Sequence, residues 1–293
     1  MITYWSMRAL MFLTQTVPVR LSYFVAMRLG DLFFFLWRKK REITVENMRH
    51  VLGHDADHRQ VVETARRSIR NYAKVIVEFL RLPRLSDQEV ISLVRQSFGW
   101  EHLDRALAHG KGVILVLSHF GNWDLAGAVL AARTYPTNAV ADSFRPERLN
   151  QLVQGPRIKR GIRIMHADGN GVVRQLYQAL KQNQVVGLAI DLPTNGEGVP
   201  VRFFDGTVSL PAAPAALSLK TGAKVLVGYL ARLADDHFAG GFGAPIEYEA
   251  TGDRQRDVAA LTQEIVSALE EIIRKHPDQW YMFRPLWSAA AQA

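Results

Sequence analysis

The hydrophobic pattern of this chain changes period near residue 111. Before that point apolar residues recur at three- and four-residue steps. In VVETARRSIRNYAKVIVEFLRL, Val62, Ile69, Tyr72, Val75, Ile76 and Phe79 share one side of a predicted helix that Pro83 ends near Leu82. VENMRHVL predicts a shorter helix ahead of it. Beyond residue 111, short runs of Val, Ile and Leu alternate with helical stretches. They predict strands at 113–117, 139–141, 163–165, 185–190 and 225–231, a further extended segment at 237–249, and helices at 125–133, 147–154, 172–181, 212–220 and 256–275. Such alternation predicts an α/β fold with a mostly parallel sheet flanked by helices. The predicted organisation is a single domain over 42–293, with a helical lead-in at 42–110 and an α/β core at 111–293. No linker, repeat or low-complexity tract divides it.

Residues 4–37 are rich in large apolar and aromatic side chains, yet Arg8, Pro18, Arg20, Arg28 and Asp31 interrupt them. The longest clean stretch falls short of the roughly 20 residues that span a bilayer. No small-residue cleavage site follows, which argues against a secretory signal. Residues 1–41 are therefore predicted to form one or two membrane-associated helices lying in the interface, with Arg38, Lys39, Lys40 and Arg41 facing anionic head groups. A helix pair packed on the core has the same hydrophobic content. Arg66, Arg67, Arg70 and Lys74 give the following long helix a basic face, which either is solvated or continues the membrane-facing surface.

Composition narrows the partners. The net charge of +8 points to a polyanion, and the basic residues are scattered with no recognisable nucleic-acid motif, so an anionic membrane surface is the expected partner and nucleic acid is not. The chain has no cysteine. That excludes disulfides and thiol nucleophiles, and with thiolate ligands gone a structural zinc site is not expected.

The chemistry concentrates in GVILVLSHFGNWD, residues 112–124. The apolar run reads as a buried strand with His119 at its carboxyl edge, where open α/β sheets bind ligands. Asp124 follows in the first turn of the next helix, where the helix dipole favours a carboxylate, and Gly121 allows a tight turn between the two. An imidazole oriented by a carboxylate is a general base. The spacing also fits a strand-end histidine bonded to backbone with Asp124 as a helix cap. Asp191 ends the strand VVGLAID, where it can orient a hydroxyl or an arginine, or cap the turn DLPTNG.

SHFGNWD resembles the His-x4-Asp/Glu box of the acyltransferases that add secondary fatty acids to lipid A and of the related phosphatidylinositol mannoside acyltransferases. Five further segments carry the likeness: SFRP at 143–146, RIKRGIRIM, VVGLAID, VRFFDG with LPAAPAALSLKTGA, and HPDQWYMFRPLW. Together they span roughly residues 20–287. The resemblance implies a glycerol-phosphate acyltransferase-like fold at the cytoplasmic face of the inner membrane. It also implies transfer of a fatty acyl chain from acyl-CoA or an acyl carrier protein to a hydroxyl of a membrane glycolipid or phospholipid. In that reading His119, held by Asp124, takes the hydroxyl proton. Arg160 occupies the position of the arginine thought to act at the thioester carbonyl, with Arg157 as the alternative. Arg145, Arg157, Asp191, Phe120 and Trp123 contact substrate, and Phe203 with Phe204 helps line an apolar tunnel. Neither a metal, a cofactor nor a covalent acyl-enzyme is required. The basic residues at 157–163 otherwise serve as bulk charge for phosphates.

Two segments depart from the lipid A pattern. AIDLPTN keeps only the first acidic position of the family's PDxD, and the segment after Trp280 carries fewer arginines. Both leave the acceptor open. The rival readings are a lipid esterase using the same pair, which would lack the Gly-x-Ser-x-Gly elbow, and a non-catalytic module that binds anionic lipid.

Overall fold

The runs VILVL and VVGLA become neighbouring strands at the centre of a seven-stranded sheet because both of their faces are covered. The computed structural model describes residues 2–169, 171–193 and 198–287. In chain order the helices α1 (Ile2–Thr16), α2 (Val19–Leu36), α3 (Arg38–Leu52), α4 (His58–Arg81) and α5 (Asp87–Ser92) precede β1 (Val94–Phe98) and α6 (Trp100–Ala108). Then come β2 (Val113–Leu117), α7 (Trp123–Ala132), β3 (Thr137–Ala141), α8 (Glu147–Lys159), β4 (Arg163–His166), α9 (Val172–Lys181) and β5 (Val185–Ala189). The hairpin β6 (Val199–Phe203) and β7 (Gly206–Leu210), α10 (Ala213–Thr221), β8 (Lys224–Arg232), β9 (Phe238–Phe242) and α11 (Arg254–Lys275) complete the order.

The sheet runs β1-β9-β8-β2-β5-β3-β4, with every pair parallel except β8 with β9. The predicted α/β class with a mostly parallel sheet flanked by helices is what the chain adopts. Alternation divides the strands between two layers. Ile114, Val116, Val186, Leu188, Val225 and Val227 join the main core with Leu261, Ile265 and Leu269 of α11, while Val113, Leu115 and Val185 pack with Leu103 of α6 and Leu130 of α7.

Two elements differ from the expectation. The lead-in at 42–110 is not wholly helical, because Val94–Phe98 forms the edge strand β1 against β9. Its sequence VRQSF is polar and four of its five residues are exposed, so no apolar alternation marks it. Residues 199–210 form a separate antiparallel hairpin whose two-residue turn is Phe204–Asp205. The Asp205-Gly206 pair at that turn is a hairpin signal.

At the N-terminus, α2 lies along α4 with Tyr23 and Phe34 buried. Asp31 accepts from Arg66 Nε at 2.8 Å and from Arg70 Nε and Nη2 at 2.6 and 2.8 Å. Lys74 bonds Asp236 at 2.6 Å. Three of the four residues of the predicted basic face on α4 therefore pair within the protein, leaving Arg67 exposed. Arg38 pairs with Glu42, while Lys40 and Arg41 donate to the carbonyls of Phe283 and Phe35. The opposite side of the pair exposes Trp5, Phe12, Leu13, Phe24, Leu29 and Phe35. Among the described residues no helix is long and apolar enough to cross a membrane.

Candidate active site

Parallel register puts His119 beside Asp191. Leu117 of β2 is paired with Ala189 of β5, and each strand runs two residues further to its functional side chain. His119 Nδ1 lies 2.7 Å from Asp191 Oδ1, and the His119 backbone N–H donates to Asp191 Oδ2 at 2.8 Å. Trp280 Nε1 donates to the same Oδ2 at 2.9 Å. Asp191 is fully buried, whereas the His119 side chain is 30% exposed. A carboxylate with three N–H partners is acceptor only, so Nδ1 carries the proton and Nε2 is the basic nitrogen of His119.

The electrostatics follow from this pairing. Burial disfavours the imidazolium, but the adjacent Asp191 charge outweighs it and the His119 pKa is raised. Burial likewise opposes ionisation of Asp191, and the hydrogen bonds from His119 and Trp280 with the imidazolium charge hold its pKa low.

The turn after His119 is fixed at several points. Gly121 has φ +57°, and a Cβ there would sit 1.9 Å from the Leu230 carbonyl oxygen, so only glycine fits. Its N–H donates to Gln279 O at 2.9 Å, and Asn122 N–H donates to Leu230 O at 3.0 Å. Asn122, and not Asp124, caps α7, accepting from Leu125 N–H. The Asn122 amide also donates to Glu78 Oε2 at 2.6 Å, a carboxylate shared with Tyr23 and with the buried Arg232. Tyr281 N–H closes the far side on His119 O at 2.8 Å.

Asp124 does not contact the His119 ring as expected. In the first turn of α7, it accepts from Arg157 Nε at 2.6 Å and from Nη2 at 3.1 Å, a two-point grip across to α8. Arg160 is also placed differently. Its guanidinium donates to Asp87 Oδ1 at 3.0 Å and to the carbonyls of Leu82 and Leu85, so it satisfies chain ends around α5.

Arg157, Asp124, His119, Phe120 and Trp123 all line one cavity of about 400 Å³, within the ordinary range for ligand sites. It lies between α7 and one face of the central strands. Leu115 and Leu117, Val185, Gly187 and Ala189, Ala139 and Ala141, and Gly228 contribute from the sheet side. Small residues on that face leave the space. Phe203 and Phe204 line no part of it. They pack with Trp280 and Trp287 in the hairpin's aromatic cluster, because β6 turns them into the core. Arg145 is exposed on the loop after β3 and is not a lining residue. Reading the sequence alone missed Trp280, Glu78 and Asn122 as parts of the site. The tryptophan in HPDQW and the asparagine in GNWD are visible in the motifs, but their partners come from distant segments.

A model of the bacterial lipid A biosynthesis acyltransferases matches residues 1–289. The chain belongs to this family. Phosphatidylinositol mannoside acyltransferase of Mycobacterium tuberculosis (strain CDC 1551 / Oshkosh) is 34% identical over 226 residues, covering 76% of this chain and 69% of that protein. The protein of the same name from Mycolicibacterium smegmatis (strain ATCC 700084 / mc(2)155) is 31% identical over 232 residues, covering 76% and 72%. By this membership the chain is an acyltransferase of the lipid A and phosphatidylinositol mannoside type, and a lipid acceptor and an acyl donor are its substrates.

Proposed function

We propose that the protein moves an acyl chain from an acyl thioester, coenzyme A or carrier-protein bound, to a sugar hydroxyl of a membrane glycolipid by direct transfer in a ternary complex. The observation that carries this reading is the His119–Asp191 pair beside an apolar cavity. His119 Nε2 takes the proton of the acceptor hydroxyl as its oxygen forms the new ester bond at the thioester carbonyl. Asp191 keeps Nδ1 protonated and stabilises the imidazolium. The tetrahedral oxyanion then collapses, the carbon–sulfur bond breaks, and the imidazolium returns its proton to the departing thiolate. No serine or cysteine nucleophile is used.

Arg157, fixed by Asp124 on the cavity wall, supplies the positive charge for the oxyanion. It replaces Arg160 in that role, since the Arg160 guanidinium is occupied elsewhere. The cavity holds the acyl chain, with Phe120 and Trp123 beside the thioester end. The exposed aromatic side of α1 and α2 rests in an anionic membrane interface, peripherally and without spanning it. Because the curated relatives named above act in phosphatidylinositol mannoside acylation, a mannosylated phosphoinositide is the first acceptor to supply.

The test is transfer of labelled acyl chains from acyl-CoA to total membrane lipid, with the product identified, by wild type and His119→Ala. Labelled lipid from wild type, reduced about 10²-fold or more in a folded variant, supports the reading. Labelled free fatty acid without acceptor acylation would establish the esterase instead, and unchanged labelling by the variant would remove His119 from the chemistry.

A further inference from the structure

A second cluster of reactive side chains lies away from the acyl cavity. Helix α3 ends at Leu52, and Gly53, at φ +93°, reverses the chain so that His50 and His54 stand side by side, with ring centroids 5.5 Å apart. Asp205, in the tight turn between β6 and β7, faces both. His50 Nδ1 contacts Asp205 Oδ1, and His54 Nε2 lies 2.7 Å from Asp205 Oδ2. One ligand atom from each of the three residues lies within 4.8 Å of the others.

We infer that His50, His54 and Asp205 form a binding site for a divalent transition-metal ion of the zinc type. Two imidazoles and one carboxylate suit Zn²⁺ and its late first-row neighbours, whereas Mg²⁺ and Ca²⁺ take oxygen ligands. Three protein ligands leave a fourth tetrahedral position for water.

The His50 ring is held from its face. Trp287 stacks on His50 at 4.1 Å between centroids with planes 23° apart. The Phe204 N–H at the hairpin turn donates to Glu270 Oε2 at 2.6 Å, so Asp205 sits on a braced turn. The absence of cysteine made a structural zinc site unexpected, but that argument excludes only thiolate sites. The nitrogen and oxygen ligands come from segments more than 150 residues apart, His50 and Asp205, and no sequence spacing announces them.

Such an ion would join α3 to the hairpin and to Trp287, whose ring shares a cluster with Trp280, the donor to Asp191. None of the three ligands lines the acyl cavity, so the ion's contribution is to stability, not to the transfer step. This inference is independent of the proposed reaction.

The experiment uses the untagged full-length protein, stripped with EDTA, supplied with Zn²⁺ alone and passed through a desalting column. One zinc per chain should remain, and the melting temperature should rise by about 5 °C. His54 is exposed, so His54→Ala keeps the fold by circular dichroism while losing both the zinc and the thermal shift, and Asp205→Asn does the same. Mg²⁺ should not displace the ion. Zinc absent after desalting, or retained equally by both folded variants, would overturn the site.

Discussion

Asp124 grips Arg157 through two nitrogens, Nε to Oδ1 at 2.6 Å and Nη2 to Oδ2 at 3.1 Å, with both side chains mostly buried. The aspartate of the His-x4-Asp box thus serves an arginine, and the histidine takes its carboxylate from the end of another strand. Arg157 also donates to Gln154 Oε1 at 2.6 Å and lies over the Phe79 ring, which limits it to one orientation on the cavity wall. Arg157→Ala should lower kcat by about 10²- to 10³-fold, the usual cost of losing one oxyanion donor. Arg157→Lys should recover little, because an ammonium cannot reproduce the two-point grip. Arg160→Ala should leave kcat within about threefold and lower the melting temperature, since it frees the carbonyls of Leu82 and Leu85. Steady-state kinetics and thermal melts of the three variants check this. Equal kcat for Arg157→Ala and wild type would reject the assignment.

Cavity shape should set chain preference. A Cβ at Gly187 would meet only Asn138 O at 3.5 Å and Leu117 Cδ2 at 3.9 Å, so a side chain fits the fold while taking space from the cavity. Gly187→Val should therefore fold normally and lose about tenfold or more in kcat/KM for long acyl-CoA relative to short. A series of acyl-CoA lengths gives the profile, and an unchanged length preference would show that the chain binds elsewhere.

The N-terminal pair should bind membranes through its exposed side. Removing residues 1–41 is a poor test, because α2 buries Tyr23 and Phe34 and its Asp31 is held by two arginines. Serine at Trp5, Phe12, Phe24 and Leu29 together leaves those contacts alone. The quadruple variant should lose flotation with anionic vesicles and lose more activity on bilayer than on detergent-dispersed acceptor. Full flotation would place the membrane contact on another surface.

Asp31 gives a stability prediction with a definite sign. The hydrogen bond from Arg70, reinforced by Arg66, holds its pKa at about 2. A carboxylate lowered on folding stabilises fully above its unfolded value, near 3.9, and loses that contribution as pH falls through 2. Asp31→Asn should be less stable by about 2 kcal/mol at pH 7, with the difference closing between about pH 4 and 2. Urea unfolding at several pH values checks it, and equal stability at pH 7 would contradict the pairing.

The legibility of the site followed the range of its interactions. His119 was readable because an apolar run ending in a polar turn marks a sheet edge locally, and Asp191 was visible for the same reason. Their pairing was not, since it depends on β2 and β5 being neighbours in parallel with Leu117 opposite Ala189. Sequence proximity favoured Asp124, whereas the topology favours Asp191. Position in the motif points to Arg160, but its direction is decided by carbonyls around α5 that the motif does not contain. β1 escaped notice because an exposed edge strand has no apolar face to alternate.

In the proposed reaction His119 is the base and Asp191 raises its pKa. The most direct measurement is the pH dependence of kcat/KM for wild type and Asp191→Asn. A protonated imidazole cannot accept the hydroxyl proton, so wild-type activity should fall as pH drops through a value above the ordinary histidine 6.5. Asp191→Asn should move that inflection to lower pH, because the raising charge beside the ring is then gone while burial still disfavours the imidazolium, and should cut the plateau rate by about 10²- to 10⁴-fold. An inflection and rate unchanged by Asp191→Asn would contradict the account.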